Sequence, residues 1–436
     1  MTLSAQRRRE VIDALRRGTV PQRSLDTFAV GLDRFEKTLD DELALVKGGG
    51  SVFKAVRGDY GSGKTFFARW MQERAKQKGF AVAEVQISET ETPLHRLETV
   101  YRRMVERLAT SDVESGALRS IFDAWFYTLE EDVLSSGSVD PANAQGLLQR
   151  TNELLEQRLS SISRSAPMFA ATLRAYREAA AAGDSTVAES LLAWIGGQPN
   201  VAATVKRLAN VKGDIDHFGA LNFLQGLLVV LRDAGFSGLV VVLDEVETLQ
   251  RVRGDVREKG LNALRQLIDE IDAGRFPGLY LMITGTPSFF DSPQGVQRLP
   301  PLTQRLHTDF ATDARYDNPR AVQIRLQAFS IDSLVDVGTK VRGIFAEGLP
   351  NRGRIDTLAD DSYVRQLAMA VAGKLGGKVG VAPRIFLKKL VGDVLDRIDQ
   401  FPDFDPRRDY ALTIADQECN EYERAATRAS DVELIL

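Results

Sequence analysis

The chain has 436 residues, of which 44% are hydrophobic and 27% charged, with a formal net charge of −4. This is a globular composition of roughly two or three domains, and the weak negative charge excludes binding of nucleic acid through overall charge alone. One cysteine and three widely separated histidines exclude a disulfide framework and a zinc site of ordinary spacing within one chain. The arginine-rich N-terminus lacks an apolar signal core, and no segment approaches the ~20 apolar residues of a membrane span, so we expect a cytoplasmic protein.

The first 90 residues predict two helices followed by a strand–helix–strand unit. Apolar spacing predicts helices at 5–18 and 31–46, the second ending at the glycines 48–50. A short strand at 52–56 leads into a glycine-rich segment, a helix at 65–78 and a second strand at 81–87. This order is that of a βαβ unit, whose two strands are parallel.

Residues 89–235 show helical periodicity only and are predicted to be a helical insertion. Continuous apolar runs, typical of buried parallel strands, follow at 238–244 and 279–284, with a further strand at 324–329. After residue 330 the pattern is again helical, at 331–346, 361–375 and 383–398, with at most one more helix near 410–427. The prediction is an α/β fold with a parallel sheet, divided into a nucleotide-binding core (1–330), a small all-α domain (331–400) and a tail (401–436).

The segment 58–65 matches the phosphate-binding loop pattern G-x-x-x-x-G-K-[ST] and has the required strand before it and helix after it. The glycines let backbone N–H groups surround phosphates, and the following helix N-terminus favours negative charge. We expect Lys64 to reach the β- and γ-phosphates of ATP and the Thr65 hydroxyl to ligate Mg²⁺. The predicted ATP-binding residues are Gly58, Asp59, Tyr60, Gly61, Ser62, Gly63, Lys64, Thr65 and Phe66.

Two acidic residues end the apolar strand 240–243 and supply the second half of the expected site. Asp244 is the candidate Mg²⁺ ligand, and Glu245 the candidate base that orients and deprotonates water. An acidic pair is also a common solvated strand end, but the phosphate-binding loop upstream favours the functional interpretation.

Three further side chains are candidates for contacts with the phosphates. Thr284 ends the next strand, with Thr286 as the alternative, although a threonine here is also a common turn cap. Arg384 follows Pro383, which suits the first turn of a helix in the small domain, and from there it could reach the phosphates. Arg305 is a candidate arginine finger acting from a neighbouring subunit, although many surface arginines have similar surroundings in sequence.

Arginines elsewhere are candidates for contact with DNA or a partner protein, although solvated helix faces explain them more simply. They are Arg7, Arg8, Arg9, Arg16 and Arg17 near the N-terminus, and Arg164, Arg174 and Arg177 in the insertion.

The order of these motifs resembles that of AAA+ ATPases. Ala29 to Phe35, ahead of the loop, is similar to the adenine-side segment of the Orc/Cdc6-like branch. Val20-Pro21, the run 57–67 and the run 380–384 resemble the BrxD-type ATP-binding proteins of bacteriophage-exclusion (BREX) islands. The resemblance implies an AAA+-type core with a helical lid at 331–400, and a defence component that acts beside a helicase and other proteins on DNA. The residues after 400 are too few for the winged-helix domain usual in Orc/Cdc6-like proteins, and this departure counts against independent sequence-specific DNA binding.

Several functions remain open at this point. The favoured one is an Mg²⁺-dependent ATPase, possible as a homo-oligomer, that moves its lid and insertion against a partner or DNA. The alternatives are a nucleotide-gated scaffold that hydrolyses little ATP, and a DNA-loading or remodelling ATPase of the Orc/Cdc6 kind. A two-domain helicase and a small-molecule kinase fit less well, because the segment after 330 has no strands and the insertion is long.

Overall fold

The computed structural model describes residues 3–140, 142–375, 383–419 and 424. Five strands form the sheet, and they are β1 Val52–Arg57, β2 Ala81–Gln86, β3 Leu239–Asp244, β4 Leu279–Gly285 and β5 Gln323–Arg325. The described helices are α1 Ala5–Arg16, α2 Asp33–Lys47, α3 Lys64–Gln77, α4 Leu97–Glu106, α5 Leu118–Ser135, α6 Ala144–Ser165, α7 Pro167–Ala181, α8 Ser185–Ile195, α9 Ala203–Leu208, α10 His217–Asp233, α11 Gly254–Asp272, α12 Pro287–Asp291, α13 Pro300–Leu306, α14 Ile331–Ala346, α15 Arg352–Leu358, α16 Asp361–Lys374, α17 Pro383–Lys388, α18 Asp396–Gln400 and α19 Pro406–Asp409. A π-helical stretch, Lys389–Leu395, connects α17 to α18.

The sheet has the strand order β2-β3-β4-β1-β5. β3 pairs in parallel with β2 on one side and with β4 on the other, and the register places Gln86 opposite Asp244. Every residue of β3 and β4 is buried, which explains why both strands are continuous apolar runs in the sequence. The α/β class with a parallel central sheet is therefore as predicted.

The chain forms two compact units. One comprises the described residues of Met1–Thr38, Val56–Glu73 and Asp309–Leu436, and the other Leu39–Ala55 and Arg74–Thr308. β1 and α3 each pass from one unit into the other. The domain bounds at 330 and 400 were predicted from the order of elements along the chain, and they stay a prediction.

The second unit contains the helical insertion, α4 to α10, which the sequence predicts at 89–235. Phe223 of α10 lies at its centre, with ring centroids 5.4 Å from Phe169 and from Trp194, and 6.0 Å from Tyr101. Gly226, one turn further along α10, is required here, because a Cβ atom would lie 2.7 Å from the Phe169 ring. The insertion therefore has its own aromatic core.

The same unit holds a buried charge cluster beneath the sheet. Lys54 of β1, 1% exposed, pairs with Glu42 of α2 at 2.5 Å, and the Tyr280 hydroxyl of β4 donates to the same carboxylate at 2.7 Å. These contacts fix α2 against two strands of the sheet.

The first unit contains the helical C-terminal region. α14 packs against α16 and α1, and Arg16 of α1 forms two bonds to Asp396, of 2.6 and 2.8 Å. Arg354 of α15 donates to the Phe401 and Phe404 carbonyls and so fixes the chain after α18. These contacts join the N-terminal helix to the region predicted as the lid.

The predicted helix near 410–427 is wrong over residues 410–415, which have no helical structure; only a short 3₁₀ turn, Asp416–Glu418, follows. Thr413 and Ile414 are β-branched and have weak helix propensity, and tertiary contacts described below fix the segment instead. Of the remainder, residues 420–423 and 425–427 lie outside the described residues, as do Gly380, Val381 and Ala382 of the predicted lid motif. No helix in the described ranges is long and apolar enough to cross a membrane.

Candidate nucleotide-binding site

The glycine-rich loop has the backbone geometry that a phosphate cradle needs. Gly61 and Gly63 have φ values of 82° and 88°, a region that residues with a Cβ atom rarely adopt. At Gly58 a Cβ atom would lie 2.3 Å from Ser62 Oγ, so the loop closes only with glycine there. The Ser62 hydroxyl is buried and has no hydrogen-bond partner. Such an orphaned polar group suits a site that is completed by a ligand.

Lys64 begins α3 and turns back over the loop. Its Nζ atom lies 2.8 Å from the Gly58 carbonyl and 3.2 Å from the Asp59 carbonyl, and 5.0 Å from the centre of the Tyr60 ring. The side chain is 9% exposed. Thr65 follows in the first helical turn, where backbone N–H groups lack intrahelical acceptors. The loop therefore presents an ammonium and a helix N-terminus, which suit phosphate oxygens, and a hydroxyl oxygen, which is a type of ligand that Mg²⁺ accepts.

The segment before α2 is fixed by α3 itself, a contact that no pattern in the sequence predicts. Arg69 donates to the Val20 carbonyl at 2.8 Å, and the Glu73 carboxylate accepts from the Ser24 and Leu25 backbone N–H groups at 2.5 and 2.8 Å. Phe28 packs edge-on against Phe66, with centroids 5.3 Å apart. The run 29–35, similar to an adenine-side segment, follows directly, so α3 connects the phosphate loop to this segment.

Asp244, Glu245 and Thr284 form a connected group in the second unit. The buried Thr284 hydroxyl donates to Asp244 Oδ1, and the Glu245 backbone N–H donates to Asp244 Oδ1 at 3.1 Å and to Thr284 Oγ1 at 3.2 Å. Asp244 is 5% exposed and Thr284 fully buried. Glu245 adopts φ 60°, a left-handed conformation that costs energy for a residue with a Cβ atom and is found preferentially at functional sites.

Gln86 is part of this group and was missed in the sequence. Its Nε2 atom donates to Glu245 Oε2 at 2.9 Å from the end of the neighbouring strand β2. The sequence does show a polar residue at the end of β2. That this residue lies beside Glu245 is known only from the pairing of β2 with β3 in the sheet.

The alternative residue to Thr284 has a local role. Thr286 is the N-cap of α12, where its side chain accepts from the Phe289 backbone N–H. This is the turn-capping function that competes with a role in catalysis.

Arg305 lies on α13, where its guanidinium pairs with Asp269 of α11 and donates to the Pro301 carbonyl at 2.8 Å. Its role as an arginine finger toward a neighbouring subunit stays a prediction.

Arg384 is on the first turn of α17, as predicted, and is half-buried. Its Nη2 atom donates to the Glu418 backbone carbonyl at 2.5 Å. The predicted contact with phosphate is not tested by this arrangement, but the guanidinium already has a partner from the C-terminal segment.

The arginines considered for DNA contact differ in their surroundings. Arg174 makes a two-point ion pair with Glu156, and Arg177 stacks on the Phe126 ring at 4.6 Å. On α1, Arg7, Arg8 and Arg16 pair with carboxylates. Arg9, Arg17 and Arg164 are exposed.

Together, the parallel sheet, the loop after β1 and the acidic end of β3 define a P-loop nucleotide-binding protein. A model of the family described as "BREX system ATP-binding protein BrxC/D" matches residues 3–414. The chain belongs to this family, which confirms the resemblance to BREX ATP-binding proteins. Among curated proteins, no match was found. Among solved structures, the chain is similar to the ORC2 protein of Aeropyrum pernix in its ADPNP–ADP complexes, with 12% identity, 87% of this chain and 70% of that chain covered, and a TM-score of 0.36.

Proposed function

We propose that this protein is an Mg²⁺-dependent AAA+-type ATPase of a BREX defence system, acting in the cytoplasm with partner proteins on DNA. The observation that carries the proposal is the phosphate loop, in which Lys64 Nζ lies over the Gly58 and Asp59 carbonyls and Ser62 Oγ has no partner. The family to which the chain belongs supports ATP as the nucleotide.

In this proposal, residues 58–66 bind the nucleotide, and Lys64 supplies a charge-assisted contact to the β- and γ-phosphates. Thr65 and Asp244 ligate Mg²⁺, which when bound neutralises phosphate charge and polarises the γ-phosphate for attack. Glu245 accepts the proton of the attacking water. Thr284 positions Asp244 and the Glu245 backbone through its hydroxyl, and Gln86 fixes the Glu245 carboxylate by donating to it.

Two variants test the nucleotide site. Lys64→Ala should abolish tight binding of a fluorescent ATP analogue at equilibrium, because the ammonium is lost from the phosphate cradle. Glu245→Gln should preserve that binding and slow hydrolysis by roughly 10²-fold or more, the usual size of a general-base contribution. Wild-type affinity in Lys64→Ala would refute the assignment of the loop. Wild-type protein that binds ATP and never turns it over, with any DNA, would favour the nucleotide-gated scaffold.

DNA is proposed as a partner that is contacted through local positive charge. Arg9 on α1 and Arg17 directly after it are exposed arginines suited to phosphate contacts. ATPase rates should be measured with duplex, forked and single-stranded DNA at two salt concentrations, since phosphate contacts weaken steeply with salt. An Arg9→Ala, Arg17→Ala double variant should lose DNA stimulation, whereas Arg164→Ala tests the insertion separately. A helicase and other defence proteins are the proposed protein partners, and a homo-oligomer is required if Arg305 acts on a neighbouring site.

A further inference from the structure

The last described segment of the chain, residues 410–419, is bound along the helix that carries Arg384. We name it the C-terminal strap. At its beginning the Tyr410 hydroxyl donates to Asp393 Oδ2 at 3.0 Å. At its end the Glu418 carboxylate accepts from Lys388 Nζ at 3.1 Å and from Lys389 Nζ at 2.8 Å. The strap is thus fixed at two points to α17 and the π-helical stretch after it.

The Glu418 anchor is a built site rather than a loose surface pair. The Lys389 side chain is only 6% exposed and that of Glu418 22% exposed. Burial raises the pKa of the Glu418 carboxyl, but hydrogen bonds from Lys389, the Ala415 backbone N–H and Lys388 outweigh it and lower the pKa to about 2. The carboxylate is therefore charged at any physiological pH, so the lysine pairs do not depend on the protonation of Glu418.

The strap also binds Arg384 directly. Arg384 Nη2 donates to the Glu418 carbonyl at 2.5 Å, and a Cβ atom at Gly18 would lie 3.3 Å from Nη1. The guanidinium thus lies near Gly18, two positions after the end of α1, and is bonded to the end of the strap. A guanidinium has a fixed fork of donors, so turning it toward a phosphate changes its bond to Glu418.

We propose that the C-terminal strap is an autoinhibitory element that holds Arg384 through Glu418, and that the phosphates of a bound nucleotide compete with the strap for this arginine. The inference rests on the proposed nucleotide site together with the prediction from the sequence that Arg384 contacts the phosphates. Binding of nucleotide and release of the strap are then linked, because a ligand shifts an equilibrium by its differential affinity for the two states. Anything that loosens the strap raises nucleotide affinity, and nucleotide loosens the strap.

The chain contains a native reporter for strap release. Cys419 is the only cysteine of the sequence, ends the strap and is 8% exposed. Its rate of labelling by a maleimide measures how often the end of the strap leaves its site, without any engineered residue. Saturating Mg²⁺ and a non-hydrolysable ATP analogue should accelerate labelling in the wild-type protein. In Arg384→Ala the nucleotide should no longer change the labelling rate.

Glu418→Gln tests the anchor itself, because it removes the charge that pairs with Lys388 and Lys389 while the backbone carbonyl stays. It should accelerate Cys419 labelling without nucleotide and tighten nucleotide binding on the order of 5-fold, because the glutamine oxygen can still accept from the lysines and only the charge assistance of these bonds is lost. Asp403→Asn, the same loss of charge at an exposed position, is the matched control and should change neither quantity. Tyr410→Phe, which removes only the hydroxyl at the other anchor, should act in the same direction as Glu418→Gln.

The outcomes separate this inference from the proposed function. If wild-type protein fails to bind the analogue, the proposed function is wrong and the strap has no competitor. If the analogue binds but Cys419 labelling is unchanged or slower, and both Glu418→Gln and Tyr410→Phe bind it with wild-type affinity, the strap is a structural element only. Circular dichroism of each variant excludes unfolding as the source of faster labelling.

Discussion

Replacing Thr284 by valine isolates the hydroxyl that connects Asp244 to the Glu245 backbone. Valine matches threonine in shape, so the substitution leaves no cavity in the fully buried end of β4. It removes the bond donated to Asp244 Oδ1 and the bond accepted from the Glu245 N–H at 3.2 Å. Asp244 remains a nearly buried carboxylate with one hydrogen-bond donor fewer. The left-handed backbone conformation of Glu245 loses one of the two hydrogen bonds that stabilise it.

The expected loss of stability follows from these two bonds. A hydrogen bond to a buried charge contributes about 1.5–3 kcal/mol and a bond between neutral groups about 0.5–1.5 kcal/mol. Asp244 keeps other contacts and the Glu245 N–H still reaches Asp244 at 3.1 Å, so we expect a total of about 2–3 kcal/mol. Urea unfolding measures this loss of stability for the whole protein. Hydrogen exchange of peptides over 239–250 measures it locally, which matters because a chain with two units need not unfold in one step.

Thr284→Ser is the matched control, since it keeps the hydroxyl and loses a buried methyl group, at a cost of about 0.8 kcal/mol. Thr284→Val should therefore be the less stable of the two and should also turn over ATP more slowly. A double-mutant cycle with Asp244→Asn should show coupling between the two side chains. If Thr284→Val is as stable as the serine variant, or the cycle shows no coupling, the hydroxyl does not hold this group together.

Two further predictions concern the loop and the base. Gly58→Ala should weaken binding of a fluorescent ATP analogue about 10-fold or more, because the added Cβ atom would meet Ser62 Oγ and overpacking of this kind costs roughly 1–3 kcal/mol. The control, Gly254→Ala, adds a Cβ atom where there is open space and should bind the analogue normally. Equal affinities of the two variants would contradict the steric argument. Gln86→Ala should lower turnover about 2- to 10-fold at unchanged nucleotide affinity. The bond to the Glu245 carboxylate is exposed to solvent, so its contribution is about 0.5–1.5 kcal/mol and below that of a bond to a buried charge. Turnover at or above the wild-type rate would show that Gln86 restrains Glu245 instead of positioning it.

The predictable parts of the fold are those that depend on local patterns in the sequence. Buried parallel strands are continuous apolar runs, so β3 and β4 were predicted to within one residue of their ends. The phosphate loop is a contiguous motif whose spacing is fixed by the ligand it surrounds. Gln86 could not be predicted in the same way, because its partner Glu245 lies 159 positions away and only the pairing of β2 with β3 brings the two together.

The C-terminal region shows the opposite case, in which the local pattern predicted the wrong structure. Residues 410–415 were expected to begin a helix, yet they have no helical structure, and the segment is fixed at Tyr410 by Asp393 and at Glu418 by Lys389. The C-terminal strap also contacts Arg384, through the Glu418 carbonyl. The sequence places an arginine on the first turn of a helix, and a phosphate contact was predicted from that position. The structure adds the Glu418 carbonyl as a partner of the same guanidinium. If the strap acts as proposed, the role of Arg384 depends on a competition between this carbonyl and phosphate, and no feature of residues 383–388 predicts the contact with Glu418.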